Sequence, residues 1–175
     1  MKATFGAGCF WHVEEIFRKT NGVKSTQVGY SGGMKQNPTY EEVCTDTTGH
    51  VESVEVDYDP EEISYEDLLK IFWDNHNPTT PNRQGPDIGT QYRSVVFFHT
   101  PEQGKTALEM KTKLNPIAKE KFNAEIVTEI KPAQEFYVAE EYHQQYFAKS
   151  NLWIKHQYFY KLIFTKSQLS NEIHI

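Results

Sequence analysis

The chain has 175 residues, 18 Lys and Arg, 24 Asp and Glu, and two cysteines. That length suits one domain with a real core, so two cysteines do not describe a disulfide scaffold. The net charge of -6 gives no basic footprint for nucleic acid, and 14% aromatic content argues against disorder. No apolar run approaches the ~20 residues of a membrane span. Residues 1–6 lack the apolar centre of a signal peptide, so a cytoplasmic chain with reduced cysteines is expected.

Ala3, Phe5 and Ala7 alternate, which predicts a strand over 2–7. Gly6 and Gly8 then permit a tight turn into a helix carrying Val13, Ile16 and Phe17 on one face, with Asn21-Gly22 as its stop. Residues 23–30 form a weak strand pattern. Asn37-Pro38 reads as a helix start, with Asn37 as cap. Residues 51–58 are a clear amphipathic strand with Val54, Val56 and Tyr58 on one face. Ser64 caps a helix over 64–75. Residues 77–91 are a long loop of the kind that carries function. Residues 92–99 are apolar on both faces and read as a central strand. Thr100 to Gln103 forms a capping-box start, and Pro116 should end or kink the helix that follows. A short strand over 125–130 and a helix over 138–149 complete the pattern. Residues 156–164 are aromatic-rich and fit neither template.

Cys9 follows a strand and a glycine turn and opens a helix. A helix N-terminus favours a thiolate, so Cys9 is a candidate nucleophile; a small buried capping cysteine is an equal reading. The turn is not a dinucleotide motif, because Trp11 stands where the third glycine belongs. It is not a dithiol motif either, since His12 replaces the second cysteine. Glu52 shares the parity of Val54, Val56 and Tyr58. A carboxyl on that apolar face is either a desolvated general acid or a strand-end Glu bending into water, and periodicity alone favours the second. Cys44 and His50 are close in sequence, yet no third orienting group is evident, and Cys44 reads as core. The dispersed histidines show no ligand spacing, so no metal is expected.

These residues resemble the A-type peptide methionine sulfoxide reductases. The resemblance rests on Gly8-Cys9-Phe10-Trp11, Gly29-Tyr30-Ser31-Gly32-Gly33, Asn37-Pro38-Thr39-Tyr40 with Val43-Cys44, and Gly49-His50-Val51-Glu52. It continues through Gln84-Gly85, Asp87, the run Gly89 to Ser94, and His143-Gln144-Gln145-Tyr146. The blocks keep the family's order and span about residues 3–150. The resemblance implies an α+β fold, a two-layer sandwich around a ferredoxin-like βαββαβ core with long loops. It implies Cys9 as nucleophile, Glu52 as proton donor, and Tyr40 and Tyr92 as hydrogen-bond donors to the sulfoxide oxygen. Phe10 and Trp11 would hold the substrate methyl group, and Asp87 would orient groups or water. His143 and Gln144 would support the site without being catalytic. The activity implied is reduction of the S epimer of free or protein-bound methionine sulfoxide through a Cys9 sulfenic acid, with no cofactor.

The chain departs from the family pattern at its tail. Many members carry resolving cysteines in a glycine-rich tail, whereas residues 151–175 hold neither cysteine nor glycine. The expectation is a single domain over 1–175, a monomer, whose sulfenic acid is reduced by thioredoxin, glutaredoxin or glutathione. An internal Cys9–Cys44 bridge is the alternative, and it needs Cα atoms within ~7 Å. Two rivals remain at this point: a cysteine peroxidase, and a non-catalytic binder of oxidised methionine.

Overall fold

The computed structural model describes residues 1–150; the expectations for the tail 151–175 lie outside the described residues. Strand β1 (Lys2–Gly6) leads into helix α1 (Phe10–Arg18), then β2 (Val23–Ser31) and the short helix α2 (Tyr40–Val43). Next come β3 (Val51–Tyr58), α3 (Tyr65–Asp74) and a hairpin of β4 (Arg83–Gln84) and β5 (Asp87–Ile88). A 3-10 turn (Thr90–Tyr92) precedes β6 (Val95–Phe98), α4 (Pro101–Phe122), β7 (Glu129–Pro132), β8 (Tyr137–Val138) and α5 (Tyr146–Ser150). The result is a mixed α and β fold on a mixed sheet of order β7-β6-β1-β3-β2-β8. The β6–β7 pair is parallel, and the other pairs are antiparallel.

Period-two alternation decides which side of the sheet carries the main core. Ala3 and Phe5 of β1 lie opposite Val56 and Val54 of β3. Val28 of β2 lies opposite Val54, and Val96 of β6 opposite Phe5. All are buried in one cluster with Phe17 of α1, Phe72 of α3 and Leu114 of α4. The Phe5 ring stacks on Phe17 at 5.0 Å and on Phe72 at 5.3 Å. The opposite face carries a smaller cluster, Val51, Val95 and Phe97, packed by Ala133. By register, Glu52 sits opposite Tyr30 on the helix-covered face.

Several sequence expectations shift. Helix α2 starts at Tyr40, not at Pro38, because Thr39 is its cap: Thr39 Oγ1 accepts from the Glu42 N–H, and Glu42 Oε2 from the Thr39 N–H. Asn37 lies outside it in the left-handed region at φ 46°. The 77–91 loop contains the β4–β5 hairpin, and Tyr92 belongs to the 3-10 turn instead of the strand. Strand β7 lies beyond 125–130, because the Ile126 and Val127 N–H groups are held by Asn115 Oδ1 and the Pro78 carbonyl. Residues 138–149 are not a helix. Ala139 extends the pairing with Val28, and Gln145 turns at φ 50° before α5 begins. The Thr100 cap forms, but Gln103 Oε1 accepts from the His99 N–H instead of returning to Thr100. Among the described residues no helix is long and apolar enough to cross a membrane.

Helix α4 continues through Pro116 to Phe122. Its buried stripe, Ala107, Met110, Leu114 and Ala118, runs on both sides of the proline, which is itself exposed. Packing of that stripe outweighs the hydrogen bond that proline cannot make. Pro116→Ala should therefore stabilise the fold by about 1–3 kcal/mol, since it restores the donor and removes the ring clash. Urea unfolding checks this; an unchanged or lower midpoint would contradict it.

Candidate active site

The site forms at the end of the sheet where β1 runs out and β3 begins. Gly8 makes the turn at φ 88°, and a Cβ there would stand 2.7 Å from Gln84 Cβ and Cγ. The glycine thus sets both the backbone angle and the close approach of the β4–β5 hairpin. Gln84 is anchored in turn, accepting from the Asn77 N–H (3.1 Å) and donating to the Asn77 carbonyl (3.0 Å).

Cys9 is the N-cap of α1, but its side chain makes no capping bond. The first-turn donors go elsewhere. Phe10 N–H, at the first helical position, donates to Glu52 Oε2 at 3.1 Å. A helix-start donor that would otherwise lack a partner is satisfied by the carboxyl of β3, which fixes that carboxyl one residue from the thiol. Glu52 is 2% exposed. Burial raises its pKa to about 8, the Phe10 N–H partly opposes that, and Asp87 adds to it. It is therefore mostly a carboxylic acid at neutral pH. The strand-end alternative, a Glu bent into water, is excluded.

Cys9 is half-buried. Burial pushes its thiol well above the ordinary range, and Glu52 and Asp87 add to that; the N–H groups of Trp11 and His12 pull it down. The helix N-terminus therefore does not by itself make a resting thiolate, contrary to what position alone suggests. Thiol and carboxyl are both protonated in the empty site.

Two phenols face this pair. Burial, then the charge of Glu52, raises the Tyr40 phenol, and the same two causes raise Tyr92. Both remain hydrogen-bond donors. Their elements are tied together, because Thr90 donates through N–H and Oγ1 to Asp46 Oδ1, each at 2.6 Å. Asp87, on β5, is half-buried with its carboxyl raised by burial, and its charge is felt at Cys9, Glu52 and Tyr92. Cys9, Glu52, Tyr40, Tyr92 and Asp87 thus come together, with Phe10 and Trp11 beside them on α1.

Cys44 is not core. It is exposed at the C-cap of α2, because Val43 takes the buried position of that helix. Its thiol hydrogen-bonds with the Tyr40 phenol. His50 does not pair with it: His50 is buried, its Nδ1 accepts the Gly33 N–H (3.2 Å), and Nε2 meets the Lys35 carbonyl at 2.7 Å.

Sequence reasoning missed how the 139–146 segment builds one wall. Gln144 bonds to Val28 N–H and carbonyl, extending β8's pairing with side-chain atoms. Gln145 N–H donates to the buried Glu14 carboxyl at 2.7 Å. Tyr146 then stacks on Trp11, with centroids 3.8 Å apart and planes 9° apart. His143 Nδ1 accepts the Trp11 indole N–H at 3.0 Å. Glu140 accepts from the Tyr30 phenol (2.8 Å) and the Tyr40 N–H (2.9 Å), joining β2 to α2. The polar residues in a nominal helix window were the available signal. Among the described residues no group of three or more His, Cys, Asp or Glu could hold a metal ion.

The Glu52 proton has a measurable consequence. Between about pH 4.5 and 8 the folded chain holds a proton that the unfolded chain has lost, so Glu52 withdraws stability as pH rises through that window. Glu52→Gln cannot ionise. Its urea midpoint should gain on wild type from pH 5 to 8 and level off above. A constant difference across that range would contradict a buried acid.

The family description "Peptide methionine sulfoxide reductase" matches residues 1–172. The peptide methionine sulfoxide reductase MsrA of Methanothermobacter thermautotrophicus is 59% identical over 149 residues, which cover 85% of this chain and 87% of that one. Methionine sulfoxide reductase A of Corynebacterium diphtheriae superposes with a TM-score of 0.82 at 40% identity, covering 86% of this chain and 75% of that one. Mxr1 of Saccharomyces cerevisiae, solved in complex with Trx2, superposes at 0.57 with 25% identity over 83% of this chain and 84% of that one. A match that runs through the Cys9–Glu52 site and almost the whole sequence makes the chain a member of the peptide methionine sulfoxide reductase family, oxidoreductases that act on methionine sulfoxide.

Proposed function

We propose that the protein reduces the S epimer of free and peptide-bound methionine sulfoxide through a sulfenic acid on Cys9. The observation that carries this reading is a carboxyl held protonated at neutral pH, fixed by Phe10 N–H beside a thiol. Sulfoxide reduction needs that combination. Attack by sulfur pushes an electron pair onto the sulfoxide oxygen, and a proton must meet it.

Cys9 sulfur adds to the sulfoxide sulfur, and the S–O bonding pair moves to oxygen, which takes the Glu52 proton. The Cys9 thiol proton replaces the one Glu52 gave up. Methionine then leaves with two more electrons on its sulfur, and the oxygen stays on Cys9 as S–OH. Tyr40 and Tyr92 donate to the oxygen while charge develops on it. Phe10 and Trp11 supply the apolar surface for the methyl group. Asp87 acts by its charge: it helps keep Glu52 protonated. Neither a peroxidase nor a mere binder needs a neutral acid beside the thiol.

The cycle closes with an external thiol, since the chain's second cysteine, Cys44, sits exposed beside Tyr40. A relative crystallised with a thioredoxin supports that protein as reductant; glutaredoxin and glutathione supply the same chemistry. We read the four strands β6-β1-β3-β2, all antiparallel with α1 and α3 between them in sequence, as the ferredoxin-like core of a single domain. A monomer in the cytoplasm accommodates this cycle.

The assay is a methionine sulfoxide peptide of defined epimer with dithiothreitol. Methionine should form from the S epimer alone, and Cys9→Ser should abolish it; product from the R epimer only, or from Cys9→Ser, would overturn the reading. Glu52→Gln should lower the single-turnover rate about 10²–10⁴-fold, since it can hydrogen-bond but not protonate. Cys44→Ser should keep multiple-turnover rates with thioredoxin and with glutathione within about twofold. A collapse of turnover with an intact first turnover would make Cys44 the resolving thiol.

A further inference from the structure

His143 is 1% exposed and lies among four rings. The centroids of Phe10, Trp11, Tyr40 and Tyr142 stand 5.1, 5.6, 4.5 and 4.2 Å from its own. An indole N–H only donates, so the Nδ1 that accepts it must be bare. The proton of the neutral ring is therefore on Nε2. That nitrogen has no hydrogen-bond partner; Glu140 Oε2, at 3.9 Å, is too far for one. The Trp11 contact thus depends on one tautomer of one ring.

The contact supplies what the rest of the wall lacks. Stacking on Tyr146 sets the plane of the Trp11 indole but leaves it free to slide and turn within that plane. The indole has one polar atom, and His143 Nδ1 holds it at 3.0 Å. Plane and in-plane angle are then both fixed.

We propose, on the assignment of Trp11 to the methyl-binding wall made above, that His143 is a positioning residue for substrate. Its neutral imidazole, protonated at Nε2, locks the Trp11 indole in the orientation that receives the sulfoxide's methyl group. His143 acts through Trp11 and takes no part in the transfer of oxygen. Protonating Nδ1 would set a donor against a donor and open the lock. The charged group facing the ring is Glu140, on its own segment. The phenols of Tyr40 (from α2) and Tyr142 face it too, both raised by burial, and Phe10 and Trp11 of α1 carry no charge. Burial moves the imidazole below its ordinary value and Glu140 opposes this in part, so the lock is closed at neutral pH and opens on the acid side.

The test is single-turnover reduction of an S-epimer peptide without added thiol, read as half-saturating peptide concentration and maximal rate. His143→Phe keeps a ring but loses the acceptor. It should raise the half-saturating concentration about 3- to 10-fold, the worth of one hydrogen bond, with the maximal rate within about twofold. His143→Gln, whose amide oxygen can accept from the indole, should stay within about twofold of wild type. On acidification the wild-type half-saturating concentration should rise, and that of His143→Gln should not. The Trp11 indole N–H resonance, assigned with Trp11→Phe, should shift with the same titration in wild type. Equal half-saturating concentrations in wild type and His143→Phe, or a fall confined to the maximal rate, would overturn the proposal. If His143→Phe fails to fold, the wild-type and His143→Gln pH series still decides it. If wild type reduces no sulfoxide, the functional reading fails, and the indole resonance still reports on the lock.

Discussion

One hydrogen bond organises the site: the Phe10 N–H donating to Glu52 Oε2. It joins the first turn of α1 to the first residues of β3, and so brings a carboxyl to the helix start that carries the thiol. An N–H donor of this kind stabilises a carboxylate, and in water it would keep Glu52 acidic. Here the carboxyl is 2% exposed, and the cost of desolvating the charge exceeds what one N–H returns. The bond therefore orients an acid instead of trapping an anion. Asp87 reinforces this, since a second negative charge nearby makes ionisation of Glu52 harder. The same desolvation holds Cys9 as a thiol until substrate arrives.

The rest of the fold keeps those groups in place from several directions. The β4–β5 hairpin rests on Gly8 through Gln84 and delivers Asp87. Asp46 ties the 3-10 turn carrying Tyr92 to the exit of the helix carrying Tyr40. The 139–146 segment is the least regular and the most cross-linked part. It makes side-chain bonds to β2 through Gln144, to α1 through Glu14 and Trp11, and to α2 through Glu140. An irregular wall suits this task. A helix there would satisfy its own backbone and leave the side chains without these anchors.

Legibility in the sequence followed the range of the forces involved. Strand β3 and helix α3 were plain, since alternation in one and a Ser64 cap in the other are local signals. Glu52 was legible as an anomaly: its parity put it on the apolar face, and only desolvation in the folded site turned that anomaly into a neutral acid. Where two local signals competed, the sequence was ambiguous, as at Asn37 and Thr39. Three features depended on contacts made across the fold. Pro116 is carried by the packing of Leu114 and Ala118, residues 138–149 are unwound by bonds to β2 and α1, and Cys44 is left outside because Val43 fills the core. The motif blocks located the site residues, and the tertiary bonds among them carry no period that a sequence could show.

The central claim is that Glu52 carries a proton beside Cys9 at neutral pH, and infrared spectroscopy of the free protein tests it directly. A protonated, buried carboxyl has a carbonyl stretch well separated from that of a carboxylate. The wild-type minus Glu52→Gln spectrum at pH 7 should contain that band, and it should disappear with a midpoint at about pH 8. A carboxylate signature for Glu52 at pH 7, with its midpoint near the ordinary value for glutamate, would contradict the account.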